Sequence, residues 1–246
     1  MPRAKTKPRA TPPSLPHLTR YFEASRDFAT GFIFIVPLLV GYELGVLALR
    51  SDTINWVNGL VRLVLHGFGP AEPVVFLALV AALCVKAIRK VEGLRIDAEL
   101  YGLMLAESLV YACALGLLGS FTVRRLLQIG AAGGTWLLAR DIVLSIGAGV
   151  YEEALFRVGL LGAMHHALKH WAKVRPGVAA FLSITASSLV FAACHHLGPY
   201  GDPLEAALVL FRFMMGIAFA TIYIYRGLGI VVYTHALYDV FVSLAR

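Results

Sequence analysis

Apolar residues occupy this chain in long runs, and polar residues gather in the connections between them. Runs near the ~20 residues that cross a bilayer as a helix fall at 28–49, 74–89, 100–119, 138–164, 178–197, 205–225 and 229–244. Backbone groups in lipid must find partners within their own segment, so the pattern predicts an all-α, polytopic transmembrane bundle of about 7 spans (6 to 8). Between the first two runs, Ile54 to Phe68 repeats apolar residues at helical spacing with Trp56 and Arg62 interspersed, as in a helix lying along the interface. Residues 120–137 read as a re-entrant or amphipathic segment. Residues 1–27 are basic and rich in proline, without an apolar run or cleavage site, and read as a disordered tail with no removable signal peptide. Residues 28–246 then form a single transmembrane helical domain, whose catalytic core lies at about 140–244.

Composition turns this pattern into an environment. The chain is 59% hydrophobic and only 15% charged, where a soluble domain carries about a quarter charged residues, so lipid must face most of its surface. The net charge of +7 is dispersed and forms no basic groove with interleaved aromatics, which excludes nucleic acid as a partner. Arg3, Lys5, Lys7, Arg9, Arg20 and Arg26 precede the first run, and further lysines and arginines fall in alternate connections. By the positive-inside rule the N-terminus is cytoplasmic. Arg124, Arg125 and Arg140 run against that rule. Cys84, Cys113 and Cys194 all lie in apolar stretches and read as packing residues, not as a disulfide framework.

An ionisable group at membrane depth costs at least ~2.5 kcal/mol, so each one inside a run is a functional candidate facing the bundle interior. In Tyr151-Glu152-Glu153-Ala154-Leu155-Phe156-Arg157, Glu153 and Arg157 share a helical face in the favourable order. Glu152 is then turned ~100° away, and a desolvated carboxyl freed from the pair has the properties of a general base. Phe191 to His196 ends another run with two imidazoles, of which one at most faces the same cavity as Glu152. His235 and Asp239 place an imidazole and an acid on one face of the last run, which would fix the ring's tautomer.

These groups could activate water in two ways. Glu152 could be the base, with the histidines positioning water and stabilising an oxyanion. Alternatively Glu152, His195 and His235 could bind a divalent metal such as zinc and lower the pKa of its bound water. No HExxH segment is present, and the expectation is the version that requires no cofactor. His165, His166 and His170 contain an i, i+4 pair, but Lys169 and Trp171 place it at the interface. Glu43 and Glu107 read as hydrogen-bonded packing contacts or cavity-lining groups.

The set EExxxR (Glu152, Glu153, Arg157), FxxxH (Phe191, His195) and HxxxD (His235, Asp239), in that order along successive apolar helices, resembles the CPBP family. These intramembrane endopeptidases include the type II CAAX prenyl proteases and Abi-type, bacteriocin-processing relatives. The resemblance covers roughly residues 140–244, where Phe211-Arg212-Phe213 leading into Gly216 and Phe219 is also similar to that family. It implies that Glu152 activates water with help from His195, that Glu153 and Arg157 form a structural pair, and that His235 and residue 239 form the oxyanion site. Many members carry Asn where this chain has Asp239, so the acid must be protonated, hold His235 cationic, or serve elsewhere. The implied partners are a membrane-associated protein or peptide substrate and the lipid bilayer of a bacterial inner (plasma) membrane, with the oligomeric state left open. Readings from other classes are a proton-coupled transporter or ion pathway using the same acids and histidines, and a catalytically idle scaffold or immunity protein. The absence of internal repeats argues against a transporter.

Overall fold

A computed structural model describes residues 17–49, 55–90, 98–126, 135–197 and 201–244. Helices run α1 (His17–Arg26), α2 (Phe28–Leu49), α3 (Trp56–Leu65), α4 (Glu72–Lys90), α5 (Ala98–Leu126), α6 (Thr135–Gly147), α7 (Gly162–His170), α8 (Pro176–Cys194), α9 (Ala206–Arg226) and α10 (Leu228–Leu244). No strand occurs among the described residues. Each apolar run of the sequence is helical, with α6 and α7 joined by two wider, π-helical stretches, Ala148–Glu152 and Ala154–Leu161. By length and hydropathy α2, α5 (over Ala98–Gly119), α8 and α9 each suffice to cross a membrane alone. The α3–α4 region forms a pair bent by 114° that would count as a further, broken span.

The surface confirms what must surround it. Leu47 is 74% exposed, Val64 79%, Leu117 74% and Leu118 69%, an apolar exterior suited to lipid and not to water. The chain is an integral membrane protein. Its centre is α10, which packs against α2, α5, α6, α9 and the first π-helical stretch and buries nine residues, His235 among them. At 17 residues and ~1.5 Å per residue, α10 is shorter than the hydrocarbon core and can sit wholly inside its neighbours.

Two places depart from the sequence reading. Residues 17–26 of the expected disordered tail form α1, because Tyr21, Phe22 and Ser25 find a buried partner that no local pattern announces. That partner is Arg226, whose Nη2 reaches Glu107 Oε2 at 2.8 Å and Ser25 Oγ at 3.0 Å, with its guanidinium 4.3 Å from the Phe22 ring and 5.3 Å from Tyr21. Tyr21 donates to Glu107, and burial, reinforced by that carboxylate, pushes its phenol well above the usual tyrosine range. Gly227, at φ 86°, makes the turn from α9 into α10, and a Cβ there would stand 3.0 Å from Arg26 Cα and Ser25 O. Residues 1–16 lie outside the described residues. The other departure is the segment 120–137: its first residues continue α5 to Leu126 and its last belong to α6 from Thr135, while 127–134 lie outside the described residues.

Candidate active site

The two π-helical stretches lie on either side of Glu153 and carry the acids to α10. A wider turn rotates successive side chains by less than the ~100° of an α-helix, so neighbouring Glu152 and Glu153 can both turn inward. They do: Glu152 is 4% exposed and Glu153 fully buried. Close approach to α10 depends on Gly149, where a Cβ would meet Val232 O at 2.7 Å and Ala236 Cβ at 2.8 Å.

Glu153 and Arg157 form the ion pair the spacing implies, with Oε2 3.0 Å from Nε and both side chains at most 1% exposed. Arg157 Nη2 also donates to the Gly216 carbonyl at 3.4 Å. Its guanidinium lies 4.7 Å from the Phe191 ring centroid, 5.7 Å from Phe219 and 6.0 Å from Phe156. Glu153 does more than the sequence assigned to it, because its Oε1 accepts from His235 Nδ1 at 2.7 Å. The other nitrogen of His235, Nε2, is 3.4 Å from Asp239 Oδ2. The imidazole is thus flanked by carboxylates at both nitrogens and stacked on Phe219, 4.3 Å between centroids at 18°. Asp239 does lie beneath the ring as the spacing predicts, yet the tighter contact is with Glu153, which links two motifs that sequence spacing treats separately.

His195 caps the C-terminal end of α8. Its Nδ1 donates to the Phe191 carbonyl at 2.8 Å, which fixes the tautomer and leaves Nε2 as an acceptor in the neutral ring. Nε2 stands 3.8 Å from Glu152 Oε2. That oxygen is buried and accepts no hydrogen bond among the described residues. Phe191 contacts both imidazoles, with centroids 4.5 Å from His195 and 6.2 Å from His235. The two rings, which their sequence positions place at different depths, thereby meet around one side chain. His196 turns instead to the Asp202 carbonyl, with Nδ1 at 3.1 Å.

One residue of the site was not legible in the sequence. Asn55 donates from Nδ2 to Glu152 Oε1 at 3.0 Å. It also caps α3, accepting from the Val57 amide at 3.0 Å, and its own backbone amide donates to Tyr42 Oη at 3.1 Å. An asparagine ahead of an amphipathic helix signals a cap, but nothing local signals an acid 97 positions away. It comes from outside the 140–244 core. Glu43, the packing acid of the first run, accepts from Tyr151 Oη at 2.6 Å and pairs with Arg62 at 2.9 Å.

The trio Glu152, His195 and His235 was the candidate metal set. Among the described residues no three His, Cys, Asp or Glu side chains gather as ligands, and both nitrogens of His235 face carboxylates. His166 and His170 do lie side by side on α7, with ring centroids 4.5 Å apart and planes tilted by 37°, and no third donor joins them among the described residues.

No curated protein and no solved structure matches the chain. Residues 134–241 match the family model described as "Type II CAAX prenyl endopeptidase Rce1-like", a stretch that holds Glu152, Glu153, Arg157, His195, His235 and Asp239. Over residues 134–241, rather less than half of its length, the chain is similar to the Rce1-like type II CAAX prenyl endopeptidases, a CPBP-type intramembrane family.

Proposed function

We propose that this protein hydrolyses a peptide bond in a membrane-associated protein or peptide by means of a Glu152-activated water. The observation that supports it most directly is the facing pair Glu152 Oε2 and His195 Nε2, two acceptors 3.8 Å apart. A water donating one proton to each presents its lone pair to an incoming carbonyl carbon. Glu152 then takes the proton as the oxygen adds, and the same proton passes to the departing amine when the C–N bond breaks. Asn55 holds the other carboxylate oxygen and is a positioning residue. The Phe191 carbonyl does the same for His195.

The tetrahedral oxyanion needs a donor aimed where charge develops. In this reading His235 supplies it from Nε2, whose 3.4 Å contact with Asp239 is the looser of its two. Glu153 keeps the ring in place from Nδ1, and Arg157 balances Glu153. Asp239, one helical turn from His235 and partly exposed, acts on the ring and not on the oxyanion, which resolves its charge conflict with that role. Metal-independent chemistry is the proposal. Zinc held by Glu152, His195 and His235 would require His235 to leave its carboxylates.

The test is cleavage of membrane-anchored peptides by purified protein, with Glu152→Gln and His195→Ala as comparisons and a chelator arm. Glu152→Gln is expected to lose on the order of 10²–10⁴-fold in rate, the usual worth of a general base, while the wild type keeps its rate in chelator. Equal products from wild type and both variants would end the peptidase reading. Loss of cleavage in chelator would move it to a metal mechanism.

A further inference from the structure

The imidazole that faces Glu152 stands where its helix is weakest. α8 ends at Cys194 with His195 as its C-cap, so the ring is carried by a last turn whose final carbonyls have no partner within the α-helical ladder. That turn is drawn tight, with the His195, His196 and Leu197 amides donating to the carbonyls of Ala192, Ala193 and Cys194 at 3.1, 3.0 and 3.3 Å. Helix ends of this kind fray. The ring is steadied by its 2.8 Å bond to the Phe191 carbonyl, which belongs to the same turn and moves with it.

A single residue from outside the helix gathers this end. The Asp202 amide donates to the His195 carbonyl at 2.8 Å, and the Asp202 carbonyl faces His196 Nδ1 at 3.1 Å. Its side chain turns the other way, to α9, where Asp202 Oδ2 accepts from Arg212 Nε at 2.9 Å and from Nη2 at 2.7 Å. Two donors on one planar guanidinium fix the carboxylate in direction as well as in distance. The chain returns so close to α8 because residue 201 is glycine: a Cβ there would stand 2.8 Å from the His196 carbonyl carbon and 3.0 Å from its oxygen. The ion pair is partly exposed, 28% at Arg212 and 33% at Asp202, and an ion pair so placed contributes little to stability. Its position against the His195 backbone gives it a different use.

We infer that Asp202 and Arg212 are positioning residues, which clamp the C-terminal end of α8 to α9 and thereby hold His195 Nε2 at 3.8 Å from Glu152 Oε2. The clamp works through the backbone of His195 and touches neither water nor substrate. Asn55 steadies the carboxylate of the facing pair; Asp202 and Arg212 steady its imidazole. The effect on rate rests on the peptidase proposal, and the effect on the helix end does not.

The experiment compares the full chain with Asp202→Ala, Arg212→Ala and the double variant, by steady-state cleavage of membrane-anchored peptides and by hydrogen–deuterium exchange of the amides over residues 192–197. Each single variant is expected to lose on the order of 10-fold in kcat, within the ~10²-fold that an ångström of misplacement costs. KM and the unfolding midpoint should change little, while exchange over 192–197 becomes faster. The double variant should match the single ones, because residues that act as one unit do not add. Asp202→Asn keeps the side chain's shape and an acceptor for Arg212; its kcat should fall between those of the wild type and Asp202→Ala, which keeps the test decisive if the alanine variant does not fold. Unchanged kcat in the single variants, a raised KM at constant kcat, as for an Arg212 that binds substrate, or losses that multiply in the double variant would each overturn the inference. If the wild type cleaves nothing, the peptidase proposal fails and exchange alone decides: faster exchange over 192–197 in the variants upholds the clamp, and equal exchange removes it.

Discussion

Two buried arginines, each bound to a glutamate and faced by aromatic rings, hold this bundle together at different ends, and only one of them sits beside an acid left over. Arg226 meets a glutamate whose oxygens are both engaged, with Ser25 and Tyr21 completing the set. That centre leaves neither carboxylate oxygen over and joins α1, α5 and α9. Arg157 meets a glutamate that also serves His235, and the next residue back, Glu152, has an oxygen free to face His195. The same pair of residue types is therefore a clasp in one place and the footing of a reactive group in the other. What separates them is whether a carboxylate oxygen beside the pair is left without a hydrogen-bond partner among the described residues.

The largest way to break this comparison is Arg157→Ala. It strips a fully buried carboxylate of its cation and should cost about 3–5 kcal/mol, read as a drop in the detergent unfolding midpoint, and abolish cleavage through Glu153 and His235. Arg226→Ala should cost less, roughly 1.5–3 kcal/mol for lost charge-assisted hydrogen bonds, and molecules that remain folded should cleave at the wild-type rate. A large loss of rate per folded molecule in Arg226→Ala would show that the two centres are coupled. The sharpest and smallest change is Asn55→Ser, which keeps a good helix cap and loses the amide on Glu152. Its unfolding midpoint should barely move, while kcat falls by up to about 10²-fold, the cost of letting a reacting group drift by an ångström. Unchanged kcat would reduce Asn55 to a cap.

What the sequence disclosed follows the range of each interaction. Glu153 with Arg157, and His235 with Asp239, are i, i+4 pairs, so one helix suffices to read them. Seven apolar runs likewise carry their own signal in length. Asn55 with Glu152, and Glu153 with His235, cross between helices at separations of 97 and 82 residues, and no local rule connects them. The tail was misread over 17–26 for the same reason, since α1 is a short polar helix whose stability comes from Arg226, 201 residues beyond Ser25. The π-helical stretches left only glycines as a trace, and a glycine in a membrane helix has many other uses.

Gly149 gives this fold a fixed gauge. Its missing methyl group is the spacer that sets how near the acid-bearing turn comes to the backbone of α10 at Val232 and Ala236. Any other residue would act as a shim of at least one carbon, lifting Glu152 and Glu153 off the imidazole helix together while leaving every ionisable residue of the sequence unchanged. A chain could therefore display all three motifs and still be out of adjustment, and a reading of related sequences for competence should begin at this position, where nothing chemical happens.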